Sequence, residues 1–276
     1  MFSYIDPGIS DLLAHYGLIR HVDAQGLTLE ADATATPYLS LLGPVPLPLT
    51  VNGVEATFRW YPFVRRAELG LIEQVATSIR QAPHRDLVPL LSTFMQVSSA
   101  LVYGPFDQAA APLVRVHSSC MTGDVFGSRR CECGPQLQAA FARVVAEGVG
   151  AVIYMSSHEG RGIGLWAKAV TYLLQDMGQD TYQANTALGL PEDSRDFTDA
   201  AVVLRALRPS HRTLRLMTNN PLKIADLERH GLEITEVTPL VVGLAPTNVG
   251  YMKAKRDKGH LIPDEAFGTP PPKPPR

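Results

Sequence analysis

Cysteine is scarce, with three in 276 residues, and an odd number of thiols cannot all be closed into a disulfide framework. A chain of this length can bury a sizeable core without covalent staples. A charge excess of one sign is lacking as well. The 25 Lys and Arg against 27 Asp and Glu leave a formal −2 at pH 7, which argues against nucleic acid as a partner, because that surface needs a basic excess. Any anion must therefore be held by a local cluster. No uninterrupted apolar stretch approaches the roughly 18 residues that span a bilayer. The start of the chain has no basic region followed by a long apolar run, so neither a membrane span nor a signal peptide is expected. A reducing cytoplasm is the expected setting, and it keeps free thiols reduced. What is present, 45% hydrophobic and 19% charged residues without an internal repeat, is the composition of a soluble globular protein of one large domain or two small ones.

The three cysteines fall within fourteen positions, Cys120, Cys131 and Cys133, inside the stretch from Arg115 to Gln136. Zinc takes thiolates tetrahedrally, and three protein ligands leave one position for water or substrate, the arrangement of a catalytic metal. The Cys131 and Cys133 spacing is not the CxxC pair of a structural ribbon. Two other readings stay open at this level: a closed structural site completed by His117, and buried free thiols.

Along the chain, Ile9, Leu12, Leu13 and Tyr16 give a short helical pattern. A Leu/Pro-rich connector follows, whose four prolines between 37 and 48 deny it a helix or a central strand. Alternation from Leu49 to Phe63 about Asn52-Gly53 predicts a β-hairpin. A helix is expected over about 67–81, closed by Pro83, then short strands at 99–103 and 112–118. Past the cysteines the pattern is regular α/β. A helix is expected at about 136–147, stopped by Gly148, and then a buried strand at 151–155. The glycine-rich turn from Ser156 to Gly164 opens a helix at roughly 163–177. Strand, glycine turn and helix N-terminus together aim backbone N–H groups and a helix dipole at an anion, and this turn also carries Glu159 and Arg161. Residues 178–196 are polar and without period, as functional loops are. A helix at about 198–207 and a strand at 213–217 follow. Asn220 and Pro221 then provide an N-cap and first position for a further helix, with Lys223 beside it. A final strand is expected from Leu232 to Leu240, then a polar segment and a disordered Pro-rich tail.

Several blocks occur in order: Arg115-Val-His-Ser118, Cys120-x-Thr-Gly-Asp-Val-Phe-Gly-Ser128, Arg130-Cys-x-Cys-Gly-x-Gln136, Glu159-Gly-Arg-Gly-Ile-Gly-Leu165, Tyr172-x-Leu-Gln-Asp176, Ala184-Asn185, Arg195-Asp-Phe197 and Arg215-Leu-x-Thr-Asn-Asn-Pro-x-Lys223. Together they resemble GTP cyclohydrolase II from about Leu101 to Ile262. The resemblance implies a zinc- and magnesium-dependent homodimer that opens the imidazole ring of GTP and releases formate and pyrophosphate, the entry step of riboflavin biosynthesis. It implies Cys120, Cys131 and Cys133 as zinc ligands, with water in the fourth position attacking guanine C8. Arg195 matches an arginine assigned as nucleophile on the α-phosphate, with Asp193 as proton acceptor. A guanidinium stays protonated in proteins, so electrostatic clamping of the phosphate is the competing role for Arg195. Tyr172 matches a tyrosine that exchanges a proton with the opening ring. Arg115, Val116, His117, Ser118, Ser119, Gln136, Glu159, Gly160, Arg161, Thr181, Thr218 and Lys223 match nucleotide-binding positions, with Mg²⁺ accompanying the triphosphate.

The implied fold is α/β, a mixed sheet with flanking helices. Residues 1–100 are an N-terminal extension with the hairpin and a helical insertion between about 65 and 95, 101–262 the catalytic domain, and 263–276 the tail. Two positions depart from the family pattern: Ser119 where a glutamate is usual, and His158 where a glutamine is usual. Two other functions remain open on sequence: a paralogue that keeps the zinc machinery but acts on another ring, giving a formamidopyrimidine or opening a pyrimidine in uracil catabolism, and a non-catalytic zinc-stabilised nucleotide-binding protein.

Overall fold

The computed structural model describes residues 7–30, 33–70 and 96–267. Nine strands among these residues form one mixed sheet in the order β1-β2-β4-β5-β7-β6-β8-β9, with β3 paired to β4 alone. A helix α1 (Pro7–His15) precedes the N-terminal strands β1 (Ile19–Val22), β2 (Leu39–Leu42), β3 (Val45–Val51) and β4 (Val54–Arg65), which are all antiparallel to their neighbours. The expected hairpin is β3–β4, turning at Asn52 and Gly53, both at positive φ. The region read as a connector differs from expectation, because it supplies two strands. β3 tolerates Pro46 and Pro48 because, among the described residues, its far edge carries no partner whose carbonyls would need their N–H groups. β2, flanked by Pro37 and Pro44, pairs on both sides.

β4 continues into β5 (Ser98–Tyr103), and β5 into β7 (Gly150–Met155). The sheet therefore runs unbroken across residue 100, and the extension shares it with the remainder of the chain. Residues 66–70 are helical, as the insertion predicts; residues 71–95, which hold the rest of that expected helix, and 268–276 of the tail lie outside the described residues.

The C-terminal half is parallel. β6 (Leu113–Ser118) lies between β7 and β8 (Thr213–Met217), and β9 (Glu233–Thr238) pairs with β8. Alternation along β6 sends Leu113 to one face and Val114 and Val116 to the other. The first face packs on α3 (Cys133–Glu147) through Ala140 and Val144. The second packs on α6 (Thr198–Leu207) and on Leu227 of α7 (Pro221–Arg229). α6 has seven of its ten residues buried, so it is a core helix rather than a surface one. The chain leaves β6 for β7 on one side and later returns through β8 on the other, so the strand order reverses at β6. In parallel sheets ligands bind in the crevice at the carboxyl ends beside such a reversal. The ends of β6, β7 and β8 carry, respectively, the cysteine loop, the glycine turn and Thr218-Asn219-Asn220.

One buried cation serves the fold alone. Arg208, 1% exposed, donates to the carbonyls of Phe106, Ala109 and Thr213 at 3.0, 2.5 and 2.5 Å. Arg208→Ala would strand these acceptors in the interior and is expected to cost about 3 kcal/mol or more, read as a lowered midpoint in urea unfolding; an unchanged midpoint would show that the loop 104–112 re-solvates freely.

Candidate active site

The cysteine loop folds as a short helix, α2 (Met121–Asp124), followed by a turn that returns the chain to α3, whose first residue is Cys133. The three sulfurs lie within 4.8 Å of one another, with Cys120 and Cys131 Sγ 3.5 Å apart. Gly123 is pressed into this cradle: a Cβ there would stand 3.0 Å from the Cys131 sulfur and 3.2 Å from that of Cys120. Hydrogen bonds from Cys131 and Cys133, and then the Lys168 ammonium, hold Cys120 as thiolate far below its ordinary pKa. Its partners Cys131 and Cys133 are pushed up by sharing with it. Three soft donors in one cluster suit zinc.

His117 does not complete that cluster. Its Nε2 faces Asp124, 3.1 Å from each carboxylate oxygen, and Asp124 also accepts from the Cys120 N–H and the Tyr154 hydroxyl. The closed reading with His117 as fourth ligand is thereby set aside among the described residues, where the only group of three or more candidate ligands is the three cysteines. His117 and Asp124 brace the loop instead.

The sulfurs share one pocket with most of the residues singled out above: Arg115, His117, Ser118, Ser119, Gln136, Gly160, Arg161, Tyr172, Thr181, Arg195, Thr218 and Lys223 line it. Val116 contributes its carbonyl, which accepts from Lys223 Nζ at 2.7 Å. Glu159 and Asp193 stand just behind the wall. Glu159, expected to read a base, has both oxygens taken by protein donors. Oε1 accepts from Lys168 at 2.6 Å and from the Gly160 N–H at 3.1 Å, and Oε2 from the Met121 N–H at 2.6 Å. It thus locks the glycine turn to the cysteine loop. The Tyr172 hydroxyl lies 3.0 Å from Thr122 Oγ1, itself 3.7 Å from the Cys120 sulfur. Burial, foremost, keeps the phenol protonated.

The far side of the pocket is crowded with cations. Asp193 grips Arg195 bidentately, at 2.8 Å to Nε and 2.5 Å to Nη2. Burial pulls the Arg195 pKa down, but the Asp193 hydrogen bonds and charge outweigh it and leave it raised. A proton is therefore harder to remove here than from an ordinary arginine. Lys223, 4% exposed, forms no ion pair among the described residues. Burial and then the charges of Arg115, Arg195 and Lys255 push its pKa well below that of an ordinary lysine. Arg161 sits at φ 66°, held by the glycine turn, with its guanidinium 3.6 Å from the Tyr182 ring centre and both terminal nitrogens buried without a hydrogen bond. Uncompensated buried cations are costly unless an anion joins them.

Some pocket residues were not expected. Lys168 lies at 3.1 Å from the Cys120 sulfur; its signal is the i, i+4 spacing to Tyr172 on α4 (Leu165–Asp176). A helix α8 (Val249–Asp257), absent from the sequence reading, brings Tyr251 and Lys255 over the pocket, with Lys255 2.5 Å from Glu132. Of the loop 178–196, Gln183–Ala187 forms one helical turn, α5, that buries Asn185 in the wall. The two departures from pattern are both engaged with protein: Ser119 Oγ donates to the Ser156 carbonyl at 3.0 Å, and His158 bonds Ser118 and Asp196.

A thiolate cluster and buried cations facing one crevice of an α/β sheet define a site suited to a metal and an anion together. The GTP cyclohydrolase II family model matches residues 92–239, more than half of the chain. Among curated relatives, the riboflavin biosynthesis protein RibBA of Mycolicibacterium paratuberculosis is 54% identical over 160 residues, covering 58% of this chain and 37% of the relative. RibBA of Mycolicibacterium gilvum is 53% identical over the same shares, and that of Mycobacterium tuberculosis 54%. The chain belongs to the GTP cyclohydrolase II family, a family of hydrolases, and spans about 37% of the length of the curated relatives it matches. None of the described helices is long and apolar enough to cross a membrane.

Proposed function

We propose that this chain hydrolyses the imidazole ring of GTP, releasing formate and pyrophosphate and leaving a diaminopyrimidine ribose phosphate, as a step of riboflavin biosynthesis. The observation that carries this reading is the meeting, in one pocket, of three clustered thiols with two basic side chains that have no ion-pair partner among the described residues: buried Lys223, and Arg161, whose two terminal nitrogens are buried without a hydrogen bond. Cys120, Cys131 and Cys133 would hold the zinc, which supplies a Lewis acid and an activated water near neutral pH.

The protein's own groups divide the remaining work. Arg161, Arg195 and Lys223 bind the triphosphate together with Mg²⁺, and the N-terminus of α7, capped by Asn220, adds partial positive charge. Arg195, held protonated by Asp193, serves as an electrostatic clamp on the transferring phosphate rather than as a nucleophile. Lys168 fixes Cys120 and Glu159 in place. Tyr172, a retained phenol beside Thr122, donates a proton to the ring-derived nitrogen that leaves as formate is released in the second hydrolysis.

Incubation of the protein with GTP, Zn²⁺ and Mg²⁺ tests the reading by the mass of the product. Intact GTP alongside consumption of a uracil derivative or another purine nucleotide would replace it with the paralogue reading, and no turnover of any of these would favour a binding protein. Tyr172→Phe should leave the first ring opening largely intact and accumulate the formamide; prompt formate release by that variant would remove Tyr172 from the second hydrolysis. We also propose a homodimer. Supporting it are the exposed apolar side chains on α4 and the adjoining cysteine loop, led by Trp166 at 87% and Phe126 at 69% exposure, on elements joined by the Thr122–Tyr172 contact. Sedimentation as a monomer at micromolar concentration would exclude it.

A further inference from the structure

His158 is 3% exposed, and each ring nitrogen has one partner. Nε2 lies 3.0 Å from the Asp196 carbonyl oxygen, and Nδ1 lies 3.3 Å from Ser118 Oγ. A carbonyl can only accept, so Nε2 carries the proton. In the neutral ring Nδ1 is then an acceptor, and the Ser118 hydroxyl must donate to it. That leaves the Ser118 oxygen free to accept, and Arg195 Nη1 points at it from 3.3 Å. The direction of every bond in the series is fixed by the one carbonyl. The ring also meets Phe197 edge-on, with centroids 4.9 Å apart. Burial, then the charges of Lys223 and Arg195, lower the imidazole to about 3, so it remains neutral at working pH.

Arg195 has five N–H donors. Three are spent, on the two oxygens of Asp193 and on Ser118, and two remain for an anion. Asp193 lies two residues away on the same segment, so that pair alone moves with its segment. The fixed reference is β6, reached through Ser118. We propose that His158, as the neutral Nε2–H tautomer, is the positioning residue for Arg195: it ties the backbone at Asp196 and the Ser118 hydroxyl together and so sets where the two free guanidinium donors point. This rests on the reading of Arg195 as a phosphate clamp. A glutamine amide has the same polarity, its oxygen accepting from Ser118 and its nitrogen donating to Asp196.

The test compares His158→Gln, His158→Leu and Ser118→Ala with the wild-type protein, each checked for zinc content and folding. With GTP, His158→Leu should lose about 100-fold in kcat for pyrophosphate release, the scale of a misplaced catalytic group, whereas His158→Gln should stay within about threefold. Ser118→Ala, which cuts the same series at its other end, should fall with His158→Leu even if the leucine variant folds poorly. A readout without turnover is the ¹⁵N–¹H spectrum of histidine- and arginine-labelled protein. The wild type should show an Nε2–H tautomer for His158 and a protected Arg195 Nη1–H, the donor that meets Ser118, the latter kept in His158→Gln and lost to exchange in His158→Leu. An Nδ1–H tautomer, an Arg195 signal unmoved by leucine, or a glutamine variant as impaired as the leucine one overturns the proposal. Failure of the wild type to release pyrophosphate from GTP overturns the reaction instead, and the Arg195 signal then decides the positioning by itself.

Discussion

Cys131→Ser is expected to bring the zinc content from one per chain to near zero and to abolish formate release from GTP. Serine keeps the volume and removes the soft donor, so the change isolates ligation from packing. With two sulfurs left, and with no further His, Cys, Asp or Glu joining the cluster among the described residues, the site has no ready third ligand from the protein. His117 lies outside that group, with its Nε2 held by Asp124, which also accepts from the Cys120 N–H and the Tyr154 hydroxyl. The loss of several kcal/mol of charge stabilisation corresponds to a fall on the order of a thousandfold or more. Metal analysis and formate assay on the same preparation check it. A variant that keeps full zinc would mean that another group ligates, and one that loses zinc but keeps formate release would detach the metal from the reaction.

Why the cysteine site was legible and other parts were not follows from what each residue has to do. Three thiols in fourteen positions can converge only if the intervening chain loops back, and Gly123 marks where it does so. Asn220-Pro221 was legible because an N-cap and a first-turn proline have one local geometry, and the Asn220 side chain indeed accepts from the Leu222 N–H at 3.0 Å. Helix α8 escaped because it lies over a polar pocket. Only Met252 of its nine residues is buried, and a helix that turns Tyr251 and Lys255 to a polar pocket shows no apolar stripe. Lys168 escaped for the opposite reason: a lysine within an apolar period is assigned to solvent by default, whereas here its ammonium is buried between a thiolate and Glu159. The strands β2 and β3 were obscured by prolines whose tolerance depends on which sheet edge is free, and that is settled by distant pairing rather than by local sequence. Glu159 shows the limit most clearly. Its position in the glycine turn was read correctly, but whether a carboxylate faces ligand or protein depends on Lys168 and on the Met121 N–H, contributed from other elements.

Arg195→Ala is expected to reduce pyrophosphate release by about a thousandfold, the scale of removing a preorganised donor aimed at developing charge, while zinc stays at one per chain. The two effects separate because Arg195 touches Asp193 and Ser118, whereas the sulfurs are held by the cysteine loop, Lys168 and Gly123. The substitution also leaves the Asp193 carboxylate without its partner, beside a triphosphate of the same sign, so KM for GTP should rise as well as kcat fall. Arg195→Lys should recover little. A single ammonium cannot bridge both Asp193 oxygens and Ser118 and still present two donors. A nucleophilic arginine predicts a covalent intermediate and therefore complete loss in the lysine variant, together with a phosphoramidate trapped on the wild-type protein by rapid quench. An electrostatic clamp predicts residual release and no adduct. The raised pKa of Arg195 favours the second outcome, since nitrogen attack requires a lone pair that the paired guanidinium does not offer. Wild-type release by Arg195→Ala would remove this residue from phosphate chemistry and leave Lys223 and Arg161 as the groups to be tested in its place.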